Sequence, residues 1–229
     1  MRPLRKIRSF VRRPGRMTAA QRRALDTLMP RWGIPFAERR LDLAEVFGRE
    51  APRVLDIGFG DGEALLTQAA NHADIDYLGV EVHEPGIGHL LMLLERAKLD
   101  NVRIIARDAV DVVEHMLADE CVDAVNVFFP DPWPKKRHHK RRLLQAPFLA
   151  QCGRVLKPGG LIHVATDWAD YAEHARSEFA ACPGFETLAP ENVRGDPLAF
   201  RPPTKFERRG QRLGQEAEDL YFRRGPAPG

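Results

Sequence analysis

The sequence predicts an α/β fold, a doubly wound and mostly parallel sheet with helices on both faces. Short runs rich in Val and Ile recur every twenty to forty residues, which is typical of buried parallel strands. The stretches between these runs have apolar residues three and four apart, which is typical of amphipathic helices. Strands that alternate with helices in this way form a doubly wound sheet.

Five strands are predicted in order along the chain. They begin at Arg53 (RVLDIG), Asp76 (DYLGVEV), Val102 (VRIIA), Val122 (VDAVNVFF) and Leu161 (LIHVAT). Three helical stretches, EALLTQAANH, IGHLLMLLERAKL and AVDVVEHMLA, separate the first four strands. Ligands of such sheets bind in the crevice outside the carboxyl ends of the strands, so the functional site is expected there.

Proline and glycine interrupt the second half of the chain. Pro147 suits the first turn of a helix that continues through Leu156 and ends at KPGG. Residues 135–145 then form a loop or a separate short helix. CPGF and RGDP indicate loops in residues 182–203, and DLYFRR is a candidate for one last strand.

A chain of 229 residues with 44% hydrophobic content is long enough for one domain with a sizeable core. We predict that residues 36–229 form this domain and that residues 1–35 are a basic arm, disordered when free. No apolar run approaches the roughly eighteen residues that span a bilayer, and the N-terminus lacks the apolar core of a signal peptide. We therefore expect a cytoplasmic protein without a membrane partner, and no feature indicates an obligate protein partner.

Neither a metal site nor a disulfide framework is predicted. Cys121, Cys152 and Cys182 lie about thirty residues apart with no C-x-x-C pair. His138 and His139 have no further His or Cys at ligand spacing, and their basic surroundings disfavour a cation.

Positive charge is concentrated in three basic patches. Residues 1–25 hold nine Lys/Arg and no acid, residues 135–142 hold six and no acid, and residues 201–214 hold five against Glu207 alone. The rest of the chain has an excess of acids. An acidic body with three basic patches indicates a polyanion such as nucleic acid as the partner, and solvated surface charge is the alternative.

A glycine-rich turn follows the first strand in DIGFGDGEALL. Gly58, Gly60 and Gly62 allow a tight turn that a ligand can approach closely. A dinucleotide fingerprint needs a further glycine where the chain has Glu63. The negative charge of Asp56 would also repel a pyrophosphate. A ligand with sulfonium and ammonium groups is attracted by acids, which favours S-adenosylmethionine over NAD.

Acidic residues lie at the ends of four successive strands, at Asp56, Glu81, Asp108 and Asp131. Glu81 is suited to accept hydrogen bonds from both ribose hydroxyls, and Asp108 is in reach of an adenine amino group. Asp131 lies where a transferred methyl group would meet its acceptor. Each acid alone resembles an ordinary loop residue or helix cap, but four at successive strand ends indicate a ligand site.

Asp131 belongs to the stretch FFPDPWPKKRHHKRR, whose prolines fix φ and stiffen the loop. Trp133 either stacks on a base or packs beneath the loop. Lys135 is expected to contact a phosphate or the base, and the later basic residues through Arg142 are expected to grip the RNA backbone.

These motifs resemble those of the bacterial tRNA (guanine-N7)-methyltransferases. The resemblance covers nearly the whole chain, through RSFVRRPGRMT, DIGFGDG, GVEVHEPGIG, FFPDPWPKKRHHKRR, LKPGG, ATDWADYAEH and TKFERRGQRLG. The long central motif and the TKFE stretch are specific, whereas the glycine loop occurs in methyltransferases in general. The resemblance implies the Rossmann-like, seven-stranded fold of class I methyltransferases, with S-adenosylmethionine as the cofactor.

The resemblance also implies site residues. The expected cofactor-binding residues are Asp56, Gly58, Gly60, Gly62, Glu81, Asp108 and Asp131. The expected substrate-binding residues are Lys135, Asp167, Thr204, Lys205, Phe206 and Glu207. Many members of the family carry Glu where this chain has Asp56, which is shorter by one methylene, so its contact to the methionine end can run through water.

The implied reaction is methyl transfer to N7 of guanine 46 in the tRNA variable loop, which gives 7-methylguanosine, with Asp131 as the catalytic residue. N7 has a lone pair and no proton, so no general base is needed to expose the nucleophile. Two alternatives stay open. DPW resembles the D-P-P-Y motif of amino methyltransferases, whose acceptor would be an adenine or a protein amide. A tRNA-binding protein on a methyltransferase scaffold is the other.

Overall fold

The fold is a seven-stranded sheet with helices packed on both faces. The computed structural model describes residues 17–204, 207 and 216–226. Within them, the strands are β1 (Arg53–Ile57), β2 (Asp76–Glu81), β3 (Val102–Ala106), β4 (Val122–Phe128), β5 (Leu156–Thr166), β6 (Phe185–Leu188) and β7 (Glu218–Arg224). Their order across the sheet is β3-β2-β1-β4-β5-β7-β6. Strands β1 to β5 are parallel and β7 is antiparallel to its two neighbours, so the predicted fold class is confirmed.

The helices divide between the two faces of the sheet. They are α1 (Ala19–Trp32), α2 (Leu43–Phe47), α3 (Glu63–Asn71), α4 (Glu84–Ala97), α5 (Ala109–His115), α6 (Ala146–Val155) and α7 (Ala169–Ala181). The first face packs against α1, α3 and α4, and the second face packs against α5, α6 and α7. None of these helices is long and apolar enough to cross a membrane.

The central strands are buried on both faces, because helices cover each side. All residues of β1 and β2 are buried, and successive side chains of β1 alternate between the two cores. The strand order reverses between β1 and β4, since the chain first builds outward to β3 and then returns to the other side of β1. The ligand crevice of a doubly wound sheet lies at such a reversal.

The second half of the chain differs from the prediction in two places. Helix α6 ends at Val155, and KPGG belongs to β5, so the expectation that it ends the helix is wrong. The pairing of this early part of β5 shifts register against β4 near Val122. Strand β6 lies within the segment expected to be loop. The short helix after residue 135 is a 3-10 helix over Lys136–Arg141, and the predicted last strand is β7.

Helix α1 is part of the packed body. A capping box at Thr18 starts the helix, and Trp32 at its end is fully buried. The chain then runs beside β3, where the backbone N–H of Ile34 donates to the carbonyl oxygen of Ile104 at 2.8 Å. The later part of the predicted basic arm therefore packs on the domain, and residues 1–16 lie outside the described residues.

Candidate active site

A glycine turn connects β1 to α3 at the carboxyl edge of the sheet. Gly58, Gly60 and Gly62 have φ angles of 74°, 61° and 80°, in the left-handed region that favours glycine. A Cβ atom on Gly58 or Gly60 would meet no described heavy atom within 4 Å, so a ligand can approach this backbone. At Gly62 a Cβ atom would lie 2.5 Å from Cβ of Leu90, so this glycine permits the close packing of α3 on α4.

Glu81, the last residue of β2, holds the glycine turn. Its Oε2 accepts a hydrogen bond from the backbone N–H of Gly60 at 2.9 Å. Its Oε1 accepts from the backbone N–H groups of Val82 at 2.6 Å and His83 at 3.0 Å. A carboxylate oxygen accepts about two hydrogen bonds, so Oε2 retains capacity for a ligand hydroxyl.

A cavity of about 470 Å³ opens beside this turn, a size typical of small-molecule sites. The predicted site residues that line it are Gly58, Gly60, Glu81, Asp108, Asp131 and Asp167. A smaller cavity of about 120 Å³ adjoins it, shares Gly58 and Gly60, and is also lined by Asp56 and Thr204. The structure thus gathers these predicted residues at one edge of the sheet. Lys135 lines neither cavity and is exposed on the loop outside.

Asp56 is the most deeply buried acid of the site, with 2% of its surface exposed. Burial, and to a smaller extent the charge of Glu81, raises the pKa of Asp56 from its ordinary value of 3.8 to about 7. A cation beside Asp56 favours the ionised carboxylate, whereas a phosphate would be repelled by it. The site therefore fits a ligand with a positively charged group.

The loop after β4 carries Asp131 and has an unusual backbone. Phe129 and Trp133 have φ angles of 51° and 46°, a left-handed conformation that bulky residues rarely adopt. The backbone N–H of Phe129 donates to the carbonyl oxygen of Ala165 at 2.7 Å, which fixes the start of the loop to β5. Asp131 is exposed at the rim of the larger cavity. Strain of this kind persists where surrounding contacts hold it, and it is common at functional sites.

Arg142 holds this loop from the interior. Its side chain is 2% exposed, its Nε donates to the carbonyl oxygen of Pro132 at 3.0 Å, and its Nη2 pairs with Asp170 on α7. The guanidinium lies 5.4 Å from the ring centroid of Tyr171. The expectation that Arg142 grips RNA is therefore wrong, because its charge is directed into the protein.

The other basic residues of this run surround the loop. Four of them have exposed side chains, which together we call the exposed basic surface: Lys135, Lys136, Arg137 and Lys140. The guanidinium of Arg141 lies 3.8 Å from the ring centroid of Trp133, so one face of this tryptophan packs within the loop. In the part of the chain that the structure describes, no cluster of three or more His, Cys, Asp or Glu is placed to hold a metal ion.

An ion-pair network anchors the segment with Thr204 and Glu207. Arg201 is the centre of the network, with a side chain 7% exposed that donates to Glu207 at 2.7 Å and to Asp219 at 2.6 Å. Glu207 also accepts from the backbone N–H of Thr204 at 3.3 Å, and the hydrogen bond from Arg201 lowers the pKa of Glu207. Asp219 accepts from Nε2 of the buried His163 at 2.7 Å.

Sequence reasoning missed this network. Arg201 belongs to the third basic patch of the sequence, whereas in the fold its charge is paired internally with Glu207 and Asp219. The available signal was His163, a polar residue in the otherwise apolar strand LIHVAT. Lys205 and Phe206 lie outside the described residues, as do residues 208–214 of the third basic patch.

The fold and the acid-lined crevice define a class I S-adenosylmethionine-dependent methyltransferase. The fold is similar to that of the antibiotic-resistance methyltransferase Kmr, with a TM-score of 0.56 and 18% identity over 82% of this chain and 93% of that one. It is also similar to that of the 16S rRNA methyltransferase KamB, with a TM-score of 0.55 and 17% identity over 80% and 93% of the two chains. At these identities the likeness concerns the fold alone.

The chain belongs to the tRNA (guanine-N7)-methyltransferase family. A family model described as putative methyltransferase matches residues 50–220. The chain is 54% identical to the tRNA (guanine-N(7)-)-methyltransferase of Alkalilimnicola ehrlichii, over 98% of this chain and 95% of that protein. It is also 54% identical to the enzyme of the same name from Nitrosospira multiformis, over 97% and 96%. The family indicated by the sequence motifs is thereby confirmed, and its cofactor is S-adenosylmethionine.

Proposed function

We propose that the protein transfers a methyl group to N7 of guanine 46 in the tRNA variable loop. The observation that carries this proposal is the position of Asp131, between the acid-lined cavity and the exposed basic surface. A polynucleotide held on that surface brings a base to the rim of the cavity. The name carried by relatives at 54% identity specifies guanine N7 of tRNA as their acceptor.

Three acids are assigned to the cofactor. Asp56 suits the ammonium group, because a cation restores the ionised form that burial disfavours. Glu81 has acceptor capacity at Oε2 for a ribose hydroxyl. Asp108 lines the same cavity at the start of α5 and suits an amino donor such as that of adenine. The bound cofactor supplies an electrophilic methyl group on a sulfonium.

The contribution of Asp131 is placement and charge. N7 needs no deprotonation, so alignment of the two reactants is the main requirement and can supply about 7 to 11 kcal/mol. The purine gains positive charge as its N7 is methylated, and a fixed carboxylate stabilises that charge. The constrained backbone at Phe129 and Trp133, with Arg142 behind it, keeps Asp131 in a defined position.

Recognition of guanine is assigned to Asp167, and Glu207 supports the neighbouring segment. Asp167 follows β5, lines the larger cavity, and can accept from the N1–H and N2–H groups of guanine. Glu207 stays ionised in its pair with Arg201 and orders the segment that brings Thr204 to the smaller cavity. The exposed basic surface contacts phosphates, and the protein acts in the cytoplasm on tRNA.

The test is incubation with labelled S-adenosylmethionine and unmodified tRNA, followed by nucleoside mass spectrometry. Native protein should form 7-methylguanosine, and Asp131→Asn should reduce the rate by about 100-fold or more, because it keeps the shape and removes the charge. The matched control is Asp100→Asn, whose carboxylate is 71% exposed and pairs with Arg31 outside the cavities. Label in another nucleoside would favour an amino methyltransferase. Bound tRNA without label would favour a binding protein.

A further inference from the structure

A row of buried polar side chains crosses the first face of the sheet. Strand register pairs Asp56 of β1 with Asn126 of β4, and Asn126 with His163 of β5. Paired residues of neighbouring strands point to the same face, and such strands lie about 4.8 Å apart. The exposed fractions of the three residues are 2%, 0% and 0%, so the row runs inside the protein from the cofactor acid to His163.

The row contains polar atoms without hydrogen-bond partners among the described residues. Nδ2 and Oδ1 of Asn126 and Nδ1 of His163 are buried and have no hydrogen bond within the described part of the chain. Buried polar groups are nearly always hydrogen-bonded, because an unmade bond costs stability. An apolar residue of similar size would fill the place of Asn126 without that cost. The amide of Asn126 is therefore better explained by a functional role than by packing.

The hydrogen-bonding capacities of the side chains in the row follow from its two ends. Burial lowers the pKa of His163, so its imidazole is neutral and carries one proton. That proton lies on Nε2, because the carboxylate of Asp219 at 2.7 Å can only accept. Nδ1 is therefore an acceptor without a donor among the described residues, and the amide of Asn126, which is paired with His163 in register, is also without a hydrogen bond. On its other side Asn126 is paired in register with Asp56, whose carboxyl can donate to an amide oxygen when protonated and can only accept from an amide N–H when ionised.

The far end of the row reaches the substrate segment. A chain of hydrogen bonds begins at Nε2 of His163 and runs through Asp219 and Arg201 to Glu207. Glu207 accepts from the backbone N–H of Thr204, and Thr204 lines the same small cavity as the acid at the start of the row. The His163 ring also packs 4.8 Å from the ring of Phe128, which lines both cavities.

We propose that Asn126 and His163 are positioning residues that couple the cofactor site at Asp56 to the substrate segment at Thr204 and Glu207. This inference rests on the proposed function, which assigns those two sites. A cationic group beside Asp56 favours the carboxylate, which attracts Nδ2 of Asn126 and leaves Oδ1, an acceptor, on the side of His163. Nδ1 of His163 then faces an acceptor, which favours the tautomer with the proton on Nδ1 and weakens the hydrogen bond from Nε2 to Asp219 that anchors the substrate segment. Two sites joined in this way change each other's affinity by the same factor.

The first experiment measures the dissociation constant of unmodified tRNA with and without saturating S-adenosylhomocysteine, which carries the amino-acid group and has no methyl to transfer. In native protein we expect a shift of about five-fold or more. In Asn126→Leu the shift should fall below about two-fold, since leucine has no amide to turn. A native protein that methylates guanine without any shift would overturn the inference and leave the proposed function intact. One that shows the shift but forms no 7-methylguanosine would refute the proposed function.

Three further variants separate positioning from general destabilisation. His163→Leu should abolish the shift, and His163→Gln should restore part of it, because Gln places an N–H near the position of Nε2. The control is Asn101→Ala, which removes a buried amide with hydrogen bonds to Ala69, His72 and Ile75, away from the row. It should lower the melting temperature and retain the native shift. Loss of the shift in Asn101→Ala as well would contradict a specific role for the row.

Discussion

Replacing Asp56 by Asn should make the cofactor-free protein more stable, by an amount that grows with pH. The side chain is 2% exposed, and its pKa in the folded protein is about 7 against an ordinary value of 3.8. That interval corresponds to about 4 kcal/mol of unfolding free energy, at about 1.4 kcal/mol per pKa unit. Asn has nearly the same shape and does not titrate, so the variant avoids the cost of a buried charge.

The sign follows from the raised pKa. Protonation of Asp56 stabilises the folded protein fully below 3.8, and this contribution is lost as pH rises through about 7. The stability gain of Asp56→Asn over native protein should therefore increase by about 2 kcal/mol between about pH 5.5 and about pH 8. Urea unfolding of both proteins at the two pH values measures this increase.

Asp100→Asn is the control for this measurement, because that carboxylate is 71% exposed and should give a gain near zero at both pH values. A stability difference between native protein and Asp56→Asn that does not change with pH would refute the reasoning. It would mean that burial does not hold the Asp56 carboxyl in its protonated form.

Three further predictions follow from the site. Affinity for S-adenosylhomocysteine, measured by calorimetry, should rise from about pH 5.5 to about pH 8, because the ammonium group of this ligand binds the ionised form of Asp56. An equal rise in Asp56→Asn would contradict the assignment of Asp56 to the ammonium group. Arg142→Met should lower the unfolding free energy by about 1 to 3 kcal/mol and reduce kcat, while the affinity for the cofactor stays the same. A change in tRNA affinity alone would instead indicate that Arg142 contacts RNA. The double variant Arg137→Glu, Lys140→Glu should weaken tRNA binding and reduce by about 2 the slope of log affinity against log salt concentration. The control Arg96→Glu, on the exposed side of α4, should change neither the affinity nor the slope. An unchanged slope in the double variant would exclude the exposed basic surface as the RNA contact.

The parallel strands and the acids at their ends could be predicted because each depends on local sequence. Val-rich and Ile-rich runs are buried wherever a sheet has helices on both sides, and a residue that follows such a strand must lie at its carboxyl edge. Asp108 and Asp131 line the cavity for this reason. Strand β6 was missed because FETL has four residues and lies between segments rich in Gly and Pro.

The roles of individual charges could not be predicted, because they depend on contacts distant in sequence. Arg142 is the last of six basic residues in one run, and only its contact with Asp170, 28 residues later, turns it inward. His163 and Asp219 are 56 residues apart and meet because antiparallel β7 lies beside β5. Charge patterns identified the surface on which RNA is proposed to lie, and tertiary packing decided which cations belong to it.

The chain between α1 and α2 has a consequence for the solubility of shortened forms of the protein. Its first residue, Gly33, forms a backbone bridge with Ile104 of β3, the outermost strand on that side, and the buried indole of Trp32 lies just before it at the end of α1. A bare edge strand offers unpaired N–H and C=O groups to another molecule and promotes aggregation. A protein shortened to begin after residue 35 would uncover this edge and should aggregate through β3, even though every residue of the cavities remains.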